Sequence, residues 1–168
     1  MRHQLRTLAV AGVLGAALLV TPVTGGLAHA VTGRAAGSEA RLSTPIGLWT
    51  GTVVFEGGQI EAKVSFHLDG AMCLHPGPPG PDGGVEGSGT WTRTGFRTFT
   101  FQGTERFFDG AGTTTGYLVT THSATQRHNV FTGTGTATFY DAAWVQQGDP
   151  LTTASEMRRT QYYPGPHC

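Results

Sequence analysis

Lysine is almost missing from this chain: Lys63 is the only one among 11 basic residues. Charged residues of both signs make up 13% of the sequence, where about 25% is usual. Arginine in place of lysine points to a GC-rich bacterial genome. The low charge and the absence of a basic cluster exclude nucleic acid and an anionic membrane surface as natural partners, since both demand grouped Lys and Arg. Helical periodicity is absent too, because no window places apolar residues at i, i+3, i+4 and i+7 over three turns. No G-x-S-x-G occurs, and Ser65, Ser88, Ser123 and Ser155 sit in ordinary strand or turn contexts. Gly87-Ser88-Gly89 and Gly133-Thr134-Gly135 are not phosphate loops, for no helix follows to present its N-terminus. The only asparagine, Asn129, is not in a glycosylation sequon.

The first residues carry a secretory signal. Arg2 and Arg6 make a positive start with no nearby acid. The apolar run from Leu8 to Val20 spans about 13 residues, which suits a signal h-region and is too short to cross a bilayer of roughly 30 Å. Thr21-Pro22 ends it, and Ala28-His29-Ala30 forms an A-x-A cleavage pattern. No cysteine follows Ala30 to carry a lipid anchor, and there is no twin-arginine pair. The expected organisation is a signal peptide over 1–30, a flexible processing arm over 31–44 and a single domain over 45–168, with export as the destination. Cleavage after Ala30 removes two of the 11 basic residues and none of the 11 acids, leaving nine against 11. The mature chain then has no membrane span.

Both cysteines, Cys73 and Cys168, lie in the mature domain. Two thiols in an oxidising compartment pair more readily than they stay free, so a Cys73–Cys168 disulfide is expected. A loop of about 95 residues closed this way is worth roughly 4–5 kcal/mol in chain entropy.

From Ile46 onward the pattern is strand after strand. Trp49, Gly51, Val53 and Phe55 alternate with Thr50, Thr52 and Val54; Ile60, Ala62, Val64, Phe66 and Leu68 then follow at period two beyond Gly57-Gly58. Gln59, Glu61, Lys63, Ser65 and His67 take the opposite face. Asp69-Gly70 makes a turn, and the proline-rich His75 to Gly84 reads as an exposed loop. Further strands are expected over Val85–Thr92, Phe96–Phe107, Thr115–Ser123, Val130–Tyr140, a short Ala142–Gln146 and Thr152–Tyr162. This spacing predicts an all-β, antiparallel up-and-down barrel of about eight strands, since closure removes both exposed edges. A β-sandwich is the alternative, though its Cys–Trp–Cys spacing is missing.

Gly47-Leu48-Trp49 is a G-x-W at the start of the first strand, and it resembles the opening of the calycin barrels: lipocalins, fatty-acid-binding proteins and avidins. The chain thus resembles a secreted bacterial lipocalin-like, calycin-type barrel over residues 46–162. The resemblance implies that Trp49 closes one barrel end beneath a basic residue from the last strand, Arg158 or Arg159. A guanidinium over an indole is worth about 0.5–2 kcal/mol. The chain departs from lipocalins in lacking a helix before the last strand, and the biotin contacts of avidins do not map onto it residue by residue. Allene oxide cyclase and dirigent-like barrels are similar in shape, without a shared motif.

If Trp49 faces inward, so should Val53, Phe55, Ile60, Val64, Phe66, Trp91, Phe99, Phe101, Phe107, Tyr117, Val119, Phe131, Ala137, Phe139 and Met157. From these, Trp49, Phe66, Trp91, Phe101, Tyr117, Phe131 and Phe139, with Glu105, form the expected ligand-binding set. Glu105 shares a phase with Phe99, Phe101 and Phe107 if the strand is unbroken; as an inward carboxyl it would anchor a ligand head group or act as an acid. Gly103 favours instead a bulge that turns Glu105 to solvent, or a pairing with an arginine. Gly133 and Gly135, in phase with Phe131, leave interior space or mark strand corners. His67 and Asp69 sit at i, i+2, but no third metal ligand is fixed by spacing, so neither a metal nor another cofactor is expected. The function these features imply is binding of a small apolar molecule. A barrel-type cyclase or isomerase using Glu105 and a packed interaction module without a ligand are the alternatives.

Overall fold

The computed structural model describes residues 44–168. The expected signal peptide, and the arm apart from Thr44, lie outside the described residues. Eight strands follow in order: β1 (Gly47–Phe55), β2 (Gly58–Phe66), β3 (Ala71–Leu74), β4 (Gly83–Arg93), β5 (Thr98–Asp109), β6 (Thr114–Arg127), β7 (Val130–Asp141) and β8 (Gln146–Gln161). Each pairs antiparallel with the next, and β8 pairs with β1, so the sheet closes into a barrel without crossovers. The sandwich alternative is thereby set aside. Among the described residues no helix is long and apolar enough to cross a membrane.

Tight turns hold this meander together. Phe55 pairs with Gly58, leaving Glu56-Gly57 as a two-residue turn in which Gly57 takes a φ of 95°, a conformation that favours glycine. Arg127 pairs with Val130, and His128 there adopts a φ of 54°. Two aspartates work as turn staples at the same barrel end. Asp109 Oδ1 accepts from the amides of Ala111 (3.0 Å) and Thr113 (2.9 Å), and Asp141 Oδ1 accepts from those of Ala143 and Val145 (both 2.9 Å).

Several boundaries differ from the sequence pattern: β5 spans Thr98–Asp109 rather than Phe96–Phe107, and β6 runs on to Arg127 rather than ending at Ser123. Ala142–Gln146 is not a strand, because Asp141 captures those amides and Trp144 takes a φ of 62°. β8 instead starts at Gln146 and runs through Gly148-Asp149-Pro150. Pro150 is tolerated there because β1 pairs with β8 only from Thr153 onward, so no partner on that side needs its missing N–H. A further difference is β3, whose four residues, Ala71-Met72-Cys73-Leu74, are too few to show an alternation.

Trp49, Phe66, Phe99, Phe131 and Met72 are fully or almost fully buried and form the core at the end where the chain enters. Their rings meet edge to face: Phe66–Phe99 at 5.4 Å, Phe99–Phe131 at 5.3 Å and Trp49–Phe131 at 4.9 Å. On the outer surface, Cys73 of β3 is bridged to Cys168. The tail this bridge holds down brings His167 onto His67, ring centroids 4.1 Å apart. Ser65 and His67, which alternation places on a solvent face, are therefore 0% and 4% exposed.

Candidate functional site

The barrel interior is not filled along its length. Beyond the aromatic plug a cavity of about 320 Å³ opens toward the end bearing the β1–β2, β5–β6 and β7–β8 turns. Its walls are mostly apolar: Val53 and Phe55 of β1, Ile60, Ala62 and Val64 of β2, Leu74 of β3, Phe101 and Phe107 of β5, Leu118 of β6, Phe131, Ala137 and Phe139 of β7, and Leu151 and Met157 of β8. Five polar side chains interrupt them: Glu105, Thr120, His122, Thr153 and Ser155.

Of the expected ligand-binding residues, Phe101, Glu105, Phe131 and Phe139 line this cavity. Trp49, Phe66 and Trp91 belong to the plug or pack against it. Trp49 donates from Nε1 to the Pro45 carbonyl at 2.6 Å, and Trp91 from Nε1 to the His67 carbonyl at 2.7 Å. The last strand resolves the arginine alternatives. The Arg159 guanidinium lies 4.5 Å from the Trp49 ring centre and 4.8 Å from that of Tyr162, whereas Arg158 points outward and is exposed. Arg159 also donates from Nη2 to the Thr44 carbonyl, and burial lowers its guanidinium from its ordinary value.

Tyr117 and Val119 do not face inward. Tyr117 stacks on Trp144 with ring centroids 4.0 Å apart, and Leu118 and Thr120 take the cavity side. In Tyr117-Leu118-Val119 three apolar residues stand in a row, so hydropathy alone leaves the phase open. Register decides it: Phe101 pairs with His122, and Glu105 with Leu118.

The Gly103 bulge also fails to form. Gly103 pairs in register with Gly89 and with Thr120, and the irregularity falls later, between Phe107 and Phe108. Glu105 therefore keeps the phase of Phe101 and lines the cavity. Nor does an arginine pair with it, since Arg106 points to the other face and donates to Glu86 Oε1 at 2.7 Å. Burial alone pushes the Glu105 carboxyl up from its ordinary value.

His122 is the residue that sequence reasoning missed. Its ring stacks on Phe101 at 4.8 Å with planes 6° apart, and its Nε2 shares a 3.1 Å hydrogen bond with Thr153 Oγ1. Burial lowers its pKa, so the imidazole is neutral near pH 7. Among the described residues its Nδ1 has no hydrogen-bond partner, and neither does Ser155 Oγ; both atoms are buried. The inward glycines explain how these groups fit. A Cβ at Gly135 would stand 2.9 Å from His122 Cγ, and one at Gly133 would stand 2.9 Å from Ser155 Oγ. At Gly135 the nearest atom is the Thr121 backbone carbonyl oxygen, so the neighbouring strand itself approaches closely there, and only at Gly133 is the nearest atom a polar side chain.

A separate polar cluster sits on the outer face under the disulfide-held tail. Ser65 Oγ is shared by His67 Nε2 at 3.2 Å and His75 Nε2 at 2.9 Å. Asp69 faces His167 at 3.8 Å rather than converging with His67. Among the described residues no group of three or more His, Cys, Asp or Glu side chains is placed to hold a metal ion.

Comparison with protein-family models, with curated proteins and with solved structures gave no match.

Proposed function

We propose that this chain is a secreted, lipocalin-like protein that binds a small, largely apolar molecule inside its barrel. The observation that carries the reading is the cavity of about 320 Å³, walled by aliphatic and aromatic side chains and open at one end. That volume lies at the lower end of the roughly 300–1,000 Å³ common among small-molecule sites. The polar side chains Glu105, Thr120, His122, Thr153 and Ser155 in that wall support it further, since a few polar groups in an apolar site orient a bound molecule. Arg159 over Trp49 fits the calycin-type closure that the G-x-W opening implies. The Cys73–Cys168 bridge fits an oxidising destination outside the cytoplasm.

Titration of the purified protein with an environment-sensitive apolar dye tests the reading. Saturable binding is expected, and Ala137→Leu, which places bulk in the cavity wall, should abolish it while the far-ultraviolet circular dichroism stays unchanged. Binding unaffected by Ala137→Leu, or absent from the start, would overturn it.

A second reading, a barrel-type cyclase or isomerase, draws on the raised Glu105 carboxyl and the His122 side chain lining one cavity. It requires that Glu105→Gln abolish any turnover found. A packed interaction module has less support, because the interior is open.

A further inference from the structure

We propose that the cavity selects amphiphilic cations, molecules that join an apolar body to a protonated amine, and that the Glu105 carboxylate receives the amine. The inference deepens the binding reading and rests on it.

The charge inventory of the cavity carries the argument. Its lining contains one carboxyl, Glu105, one imidazole, His122, and no lysine or arginine. Two arginines of the flanking surfaces are engaged elsewhere. Arg106 is held on the outer face by Glu86, and Arg159 is sealed in the plug against Trp49 and Tyr162. Glu105 neither accepts a hydrogen bond nor pairs with a cation among the described residues. Its register neighbours, Gly87 and Leu118, offer it no polar side chain, and Leu74 covers the Gly87 position. A carboxylate left in an apolar wall is costly unless a counter-charge completes it, and none of the described residues supplies one.

The depth of Glu105 fits a head group. It stands four residues along β5 from Phe101 and two short of Phe107, whose ring lies beside that of Phe139 at 6.4 Å near the mouth. An apolar body reaching toward Phe101, Phe131 and Met157 leaves its polar end level with Glu105. An ammonium there forms a charge-assisted pair shielded from bulk water. A fatty-acid-type anion meets a like charge and finds no cation, so it is rejected. A neutral alcohol fits sterically and can donate to the carboxylate, but it brings no counter-charge, so the carboxylate holds it more weakly than an ammonium.

Acidification should weaken the cation in two ways with the same sign. Protonation of Glu105 removes the counter-charge, and protonation of His122, the other titratable group facing the cavity, adds a repelling one. β3, β4 and β6 present no further charged side chain to Glu105 within the lining.

The test is calorimetric titration of the purified protein at pH 8 with octylamine, 1-octanol and octanoate. Octylamine should bind about tenfold tighter than 1-octanol, with octanoate weakest. Glu105→Gln should bring octylamine down to the 1-octanol level and weaken 1-octanol far less, and retained 1-octanol binding also reports that the variant is folded. Octanoate binding as tightly as octylamine, or an octylamine preference that survives in Glu105→Gln, would overturn cation selection and leave the apolar cavity standing. Failure of all three ligands to bind would overturn both.

Discussion

At the end of the barrel where the chain enters, Trp49 and Phe66 are 0% exposed and Phe99 and Phe131 are each 1% exposed. At the far end, Ile60 is 50% exposed and Phe139 is 42% exposed, although both belong to the same inward phase of their strands. The closed end gathers aromatic rings from β1, β2, β5 and β7 onto one another, with Arg159 and the segment before β1 laid across them. At the open end only Phe107 and Phe139 lie side by side, ring centroids 6.4 Å apart, and among the described residues no buried aromatic cluster spans the interior. Inward alternation alone therefore does not fill a barrel. Filling depends on whether opposing side chains are large enough to meet, and only the closed end has such a set.

Truncating one aromatic at each end separates the two most clearly. Trp49→Ala should cost about 3–5 kcal/mol in urea unfolding, because it opens a cavity and strands the buried Arg159 guanidinium. Phe139→Ala, at the open end, should cost about 1 kcal/mol or less, since little burial is lost. Equal losses at the two positions would refute the contrast. Replacing Cys168 by Ser should lower stability by about 2–4 kcal/mol and expose His67, as read by its nuclear magnetic resonance titration. Dye binding in the cavity should survive that change, for the bridge lies on the outer face.

The adjacent arginines give a smaller and sharper test. Arg159→Ala should lose about 2 kcal/mol through the Trp49 ring contact and the Thr44 hydrogen bond. Arg158→Ala, one residue away and exposed, should stay within about 0.5 kcal/mol.

The weakest effects are those of pH, and they separate the two cavity groups by sign. His122 has a lowered pKa in the folded state, so the unfolded chain binds more protons as pH falls through the ordinary histidine value of 6.5, and stability drops. His67 and His75 share that direction through burial, so only part of the slope should flatten in a His122→Phe variant. Glu105 acts oppositely. Its folded pKa is raised, so its stabilising effect is full below the ordinary value of 4.5 and is lost as pH rises through the folded value. Glu105→Gln should therefore stabilise the protein at pH 7, by about 1 kcal/mol or less, and gain nothing at pH 4. A gain independent of pH would show that Glu105 is not desolvated.

Much of this molecule is written locally. The period-two pattern of β2, the glycine turn after Phe55 and the proline run after Leu74 each act over a few residues, and each appears where the sequence places it. The pattern also carries the all-β class, and the two thiols suffice for the Cys73–Cys168 bridge. Where residues in a row are equally apolar, as in Tyr117-Leu118-Val119, or where an aspartate competes for the amides, as at Asp141, local reading fails. The choice then passes to cross-strand register and turn hydrogen bonds. For the same reason only closure of the barrel decided that Arg159 rather than Arg158 caps Trp49, that His122 stacks on Phe101, and that Glu105 faces the cavity without a cation. A strand pattern fixes which side chains share a face, but which faces meet across the interior depends on residues far apart in the chain.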